Sequence, residues 1–355
     1  MARPPPVVQI LHRLAVQPTA PLHEHGVARV ATAIARGYGA SVRRDGYGNL
    51  IVAPPGARRG PPIWLVAHMD HPGLEVVGPG TARLLGGVRP TYLRRGVKLR
   101  FYRDGEAIAA TIRKFDPRTE TISFHGPAAS RLRKDAFGVW ELEDFRIVGD
   151  RVRARQLDDI AGCAISLAAI ERACGDRRQN LHALLTRAEE IGFVGTLGAA
   201  VDGRIPRNAW IINVEASKAI PGVAIGGGPV IRVGDRARTF DAGAENLLMA
   251  ARAKLGGQSR VQRALMSGGT CEATPWNLLG HRATGLAIPL GNYHNMGVRN
   301  RLNPEVVAIG DVATAVDLIE LAARNVPAAL RRDETSRARI LRSLRKYGGR
   351  LERSR

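Results

Sequence analysis

The stretch Ile63-Trp64-Leu65-Val66-Ala67-His68-Met69-Asp70-His71-Pro72-Gly73 decides the fold. Five apolar residues in a row, without alternation, fit a strand buried on both faces of a largely parallel sheet. The run ends on His68 and Asp70, and Pro72-Gly73 then breaks the chain. Polar side chains just beyond a buried strand are where α/β folds put their chemistry.

The same pattern recurs outward from this stretch. Residues 181–186 read as a strand with Glu189 and Glu190 just past it, residues 209–214 as one ending on Glu215, and residues 284–290 as one followed by His294. Asp158-Asp159 precedes an apolar helix over 161–173. Residues 7–36 are expected to be helical with a break near Pro21, and Gly37 stops the second helix. The turn cluster 45–49 leads into a short strand at 50–53, and further helices are expected over 245–255 and 306–324. Residues 75–155 differ in character. Short β-like pieces at 98–102, 107–112, 121–124 and 145–148 alternate with turns. The reading is an α/β fold, a mixed central sheet flanked by helices, with an inserted small all-β domain. Its parts are a catalytic domain over 1–74 and 156–328, a barrel-like insertion over 75–155, and a basic tail over 329–355.

Strands sharing one sheet bring their ends to one crevice. His68, Asp158, Glu190, Glu215 and His294 would then form a nitrogen and carboxylate set that suits zinc and similar divalent ions. So many carboxylates repel one another without cations. Two metals sharing a bridging carboxylate would neutralise them, polarise a carbonyl and lower the pKa of a bound water to near 7. Of the adjacent pair Glu189-Glu190, one can serve as ligand and the other as base. Each element alone has a plainer reading: a hydrogen-bonded His-x-Asp pair, a helix cap at Asp158-Asp159, a solvated glutamate pair, a polar loop histidine. Their joint occurrence at five junctions is what favours a site. His71 is expected beside the site rather than on the metal, because its side chain points away from that of His68 in extended chain. Cys271 is expected to pack, and His23 and His25 to sit at the start of a helix or on the surface.

At this point the chain resembles peptidase family M42, within the wider clan of co-catalytic zinc peptidases, from about residue 8 to 325. The segments that carry the resemblance are Asp45-Gly46-Tyr47-Gly48-Asn49-Leu50-Ile51, Ala67-His68-Met69-Asp70, Leu157-Asp158-Asp159-Ile160-Ala161-Gly162-Cys163, Glu189-Glu190-Ile191-Gly192, Gly226-Gly227-Gly228-Pro229-Val230-Ile231 and Ser267-Gly268-Gly269-Thr270. The resemblance implies an α/β catalytic domain interrupted by a β domain, through which members form large closed oligomers. It implies two divalent metal ions per subunit, zinc or cobalt. His68, Asp158, Glu190, Glu215 and His294 would be the ligands, with Asp158 bridging and joined to Asp159 by a cis bond. Glu189 would be the general base, and Asp70 would orient His68. The chain departs from the family pattern at Ile160 in place of Arg, His71 in place of Glu, Glu215 in place of Asp, Cys271 in place of Asp, and a compressed Tyr293-His294 spacing.

Composition bounds the partners. Hydrophobic residues make up 45% but aromatics only 5%, so aliphatic side chains must fill the core. The net charge of +21 is dominated by arginine, and residues 331–355 hold ten basic against three acidic residues. With Ile340, Leu341, Leu344 and Leu351 at helical spacing, this tail reads as a basic amphipathic helix suited to nucleic acid or another acidic surface, or as a solubilising end. Three cysteines without regular spacing are no disulfide framework and fit a reducing cytoplasm. No signal peptide or membrane-spanning run is expected. The function expected is a metal-dependent aminopeptidase acting on short peptides. A deacylase or amidohydrolase of the same clan is the alternative, and a non-catalytic nucleic-acid-binding protein a third reading.

Overall fold

The computed structural model of this chain describes residues 4–352 apart from residues 104, 127–128, 135 and 257–259. Pro6 opens α1 (Pro6–Ala15), where its missing N–H costs no hydrogen bond. The break near Pro21 separates α1 from α2 (His25–Gly37). Strands β1 (Ser41–Arg44), β2 (Leu50–Ala53) and β3 (Ile63–His68) follow. The chain then enters β4 (Gly73–Gly78), β5 (Thr81–Leu85), β6 (Lys98–Arg103), β7 (Glu106–Asp116), β8 (Thr121–His125) and β9 (Phe137–Trp140). These six close into a barrel in the order β4-β5-β8-β7-β6-β9. Its interior is packed by Leu74, Val76, Phe101, Ile112, Phe124 and Trp140.

Next come β10 (Phe145–Val148), β11 (Arg151–Ala154), α3 (Ile160–Cys174), β12 (Leu181–Thr186), α4 (Val194–Val201) and β13 (Trp210–Lys218). The chain continues with β14 (Val230–Asp235), α5 (Ala242–Arg252), β15 (Gln262–Met266), α6 (Ala273–Leu278) and β16 (Arg282–Leu290). It ends with β17 (Glu305–Ala308), α7 (Ile309–Arg324) and α8 (Val326–Glu352). Some expected boundaries shift, and β13 runs on through Glu215 to Lys218 rather than ending there. Residues 145–148 lie outside the barrel, because β10 pairs with β11 and β11 with β17. The closing helix starts at Ile309 rather than 306, because Glu305–Ala308 is that third strand.

Eight strands form the main sheet, ordered β1-β2-β12-β3-β13-β16-β14-β15. The central β12, β3, β13 and β16 are mutually parallel, so their C-terminal ends share one edge. Thr186 lies opposite His68, and Glu215 opposite Ala287. Alternation assigns the faces. Ile63, Leu65, Ala67, Ile212 and Val214 pack into the large core with α1, α3 and α7. Trp64, Val66, Leu184 and Ile211 pack the other way, with Ala199 and Trp276 of α4 and α6. His68, Thr186 and Glu215 take the next positions on that second face.

Gly162 sets how closely α3 approaches the sheet. A Cβ there would collide with the Val214 carbonyl oxygen and the Asp159 carboxylate. Gly162→Ala is expected to cost about 1–3 kcal/mol, the usual penalty for overpacking. Chemical denaturation would measure it; an unchanged stability would show that α3 is free to shift.

Candidate metal centre

Asp158 is the hub. Its Oδ1 lies 3.5 Å from His68 Nε2 and its Oδ2 lies 3.5 Å from His294 Nε2, so each carboxylate oxygen addresses a different imidazole. His294 Nε2 is also 3.1 Å from Glu190 Oε1, and His68 Nε2 is 3.8 Å from Glu189 Oε2. Donor atoms of His68, Asp158 and Glu190 lie within 4.8 Å of one another. The outer ring nitrogens are held by backbone: His68 Nδ1 is 3.1 Å from the Asp70 carbonyl, and His294 Nδ1 is 2.7 Å from the Gly87 carbonyl on the barrel side. Both Nε2 atoms are thereby turned inward. His294 has left-handed backbone (φ +54°), as do its neighbours Asn292 and Asn295. Tyr293 stacks on the His294 ring.

Glu215 stands apart from that triad. Its Oε1 accepts from Ser217 Oγ at 3.4 Å and lies 3.6 Å from the buried Arg232 guanidinium, while Oε2 is buried without a partner. Among the described residues Asp158 Oδ1 is also buried without a hydrogen bond, and Glu190 Oε1 has only the His294 ring, 3.1 Å away. Buried carboxylate oxygens this poorly satisfied are costly unless cations complete them. The donor set fits divalent metal ions.

The supporting residues are as telling as the ligands. The Asp70 carboxylate accepts the backbone N–H groups of Glu189 and Glu190, both at 3.0 Å, so it fixes the loop that carries the glutamate pair. Burial pushes the Asp70 carboxyl up, yet His68 and those two N–H groups hold it below its ordinary value. Asp158 and Asp159 are joined by a cis peptide bond. Asp159 caps α3 through Gly162 N–H and also accepts from the backbone of Ala216 and His68, tying α3, β13 and β3 together. His71 reaches the Asp158 carbonyl at 2.6 Å and Asn295 Oδ1 at 3.0 Å, so it braces the hub from behind. Cys271 packs in the second core, where burial drives its thiol well up. His23 lies 3.4 Å from Glu75 and stacks on Phe137.

A model of the M42 glutamyl aminopeptidase family matches residues 136–318, just over half of the chain. The chain belongs to that family. It is a metal-dependent aminopeptidase. No curated protein sequence matches it. Solved structures with the same fold include a TET1 peptidase from Pyrococcus horikoshii (20% identity, TM-score 0.75, 90% of this chain and 99% of that one). An aminopeptidase from the archaeon Desulfurococcus kamchatkensis is 22% identical, with TM-score 0.73 over 90% and 94% of the two chains. A TET aminopeptidase from a marine sediment archaeon of the Thaumarchaeota is 18% identical, with TM-score 0.76 over 91% and 99%. At these identities the likeness is one of fold.

Three buried carboxylates of this M42 peptidase escaped the sequence reading. Glu305 accepts from the backbone N–H groups of Leu157 and Asp158 with one oxygen and of His294 with the other, so it straps the hub to a histidine. Glu24 accepts from Ala188 N–H and the Arg187 guanidinium and steadies the glutamate loop from the N-terminal segment. Glu272 lies beneath the centre and accepts from Thr186, Thr196 and Asn213. Asn49, within the matched early segment, accepts from Arg187 N–H and donates to the Gly195 carbonyl, which is the physical use of that motif.

Stripped of cations, this centre makes stability fall as pH rises. Burial lifts Glu215 to about 8 against Arg232, and Glu305 to about 7 against His71. Burial lowers His294, but Glu190 and Asp158 overcome it and raise the ring to about 9. The unfolded chain releases these protons near 4.5 for the carboxyls and 6.5 for the imidazole. The folded chain therefore binds more protons between those limits, and its stability declines across the window. In EDTA, Tm is expected to drop between pH 5 and pH 9, and zinc to restore more of it at the alkaline end. A flat or rising Tm would sink this account.

Proposed function

We propose that this enzyme removes N-terminal residues from short peptides, using two divalent cations, zinc or cobalt, held by His68, Asp158, Glu190, Glu215 and His294. The observation that carries the reading is the hub carboxylate with each oxygen turned to a different histidine 3.5 Å away. When bound, such cations polarise the scissile carbonyl and the attacking water. Glu189 takes a proton from that water and gives it to the leaving amine; burial already drives its carboxyl well above its ordinary value, partly opposed by His68. Asp70 keeps Glu189 and Glu190 aimed inward. The free amine of the substrate is held by the carboxylates.

A cavity of about 620 Å³ opens beside His294, between barrel and sheet, lined among others by Leu84, Val88, Arg89, Phe115, Lys218 and Tyr293. Its place suits the side chain of the residue removed. The barrel meets the site there, through Gly87 on His294 and through the Tyr92 hydroxyl donating to the Gly297 carbonyl. Like the TET1 peptidase, described as assembling into a tetrahedron or a large octahedral shell, this chain would form a closed homo-oligomer. Among the described residues no helix is long and apolar enough to cross a membrane, and the three cysteines are free; a cytoplasmic enzyme fits both.

A panel of amino-acid amides and their N-acetylated counterparts, assayed with zinc or cobalt, tests the reading. Metal-dependent release from free amines, abolished by EDTA, is expected. Turnover of the acylated compounds alone would make the enzyme a deacylase instead. Light scattering reads the assembly.

A further inference from the structure

Helix α8 is anchored at one end only. Val326 packs against the main core and Ala329 is buried, whereas Ile340, Leu344 and Tyr347 are 69%, 64% and 46% exposed. At 3.6 residues per turn these three fall within about 60° of one another, forming one narrow apolar stripe. Between residues 335 and 351 the sequence has six basic residues and no acidic one. Arg337 and Arg350 flank the stripe, and Arg339, Arg342, Arg345 and Lys346 lie farther round the helix with the partly exposed Leu341. An exposed apolar stripe on an otherwise cationic helix needs an occupant that satisfies both features.

We propose that α8 docks this enzyme on a bilayer surface of anionic phospholipid. The other occupants satisfy one feature each. A second copy of the helix would cover the stripe but set six cations against six. Nucleic acid would pair the cations but leave Ile340, Leu344 and Tyr347 in water. A bilayer takes both: the stripe sinks into the boundary between headgroups and acyl chains, and the flanking Arg337 and Arg350 meet lipid phosphates. Tyrosine, with an apolar ring and a polar tip, suits that boundary.

The test is sedimentation of the full chain with vesicles of phosphatidylglycerol and phosphatidylcholine, beside pure phosphatidylcholine. Binding is expected only where phosphatidylglycerol is present, and weaker at 0.5 M salt. Each basic residue near such a surface raises partitioning about fivefold, so Arg337→Gln with Arg350→Gln, the pair that flanks the stripe, is expected to lower it about 25-fold. Ile340→Ser, Leu344→Ser and Tyr347→Ser together are expected to lower it at least about tenfold. Tm and hydrolysis of soluble peptides should not change in either variant, which separates lost docking from lost folding. The proposal is overturned by equal binding to both vesicle types, by no binding to either, or by full binding of the variant without the stripe, since bare attraction to any polyanion would then suffice.

Discussion

Replacing Glu189 by Gln is expected to lower kcat by about 10²–10⁴-fold, the usual worth of a positioned proton carrier, without loss of bound metal. The amide fills the same space, and the backbone N–H of residue 189 still reaches Asp70, a bond of 3.0 Å that does not involve the side chain. What disappears is the capacity to take a proton at the oxygen that now lies 3.8 Å from His68 Nε2. Metal content per subunit, Tm and KM for the amide substrates should stay close to those of the parent, because the loss falls on a step made only in the transition state. A variant within about tenfold of the parent would move the proton to another group. A variant that also loses metal would make Glu189 a ligand. The reciprocal change, Glu190→Gln, separates the two roles, since Glu190 lies 3.1 Å from His294 and belongs to the close triad with His68 and Asp158.

How far the sequence carries depends on the range over which its signals act. Strand ends are legible because the signal is local. An apolar run buried on both faces has no room for a charge, so His68 at the end of β3 and Glu215 within β13, just past its apolar run, stand out. The barrel is legible for a similar reason, its short strands being separated by turns. The strand β17 is not, because Val306 and Val307 merge into the helical period of α7. With it goes Glu305, whose use depends on Leu157, Asp158 and His294 arriving from elsewhere in the chain. Glu24 and Glu272 are hidden in the same way. In sequence they look like ordinary polar residues at helix ends, and only the fold buries them and supplies backbone and hydroxyl donors. Asp70 is an intermediate case. The sequence suggests a partner for His68, and the structure adds the larger task of holding both glutamate N–H groups. The pairing of Glu215 with Arg232 is wholly tertiary, since β14 reaches the site only by lying antiparallel to β16.

Changing Asp158 to Asn should cost bound metal as well as rate, unlike the loss of Glu189. A carboxylate offers equivalent oxygens to two partners, and here each lies 3.5 Å from a different histidine. An amide offers one acceptor oxygen and turns N–H donors toward the other partner. The substitution also removes a negative charge from a centre in which His68 and His294 already stand above their ordinary values. The Asp158→Asn variant would therefore hold one cation poorly or not at all. Losing one such ion forfeits several kcal/mol of charge stabilisation in the transition state, which at tenfold per 1.36 kcal/mol is about 10³-fold or more in rate. Metal analysis should show at most one ion per subunit against an expected two in the parent, with peptide hydrolysis down by that factor. The fold should survive, since the N–H of residue 158 still reaches Glu305 and the cap on α3 belongs to Asp159. Full metal content with normal turnover would show that Asp158 does not bridge, and that the two histidines converge on it for another purpose.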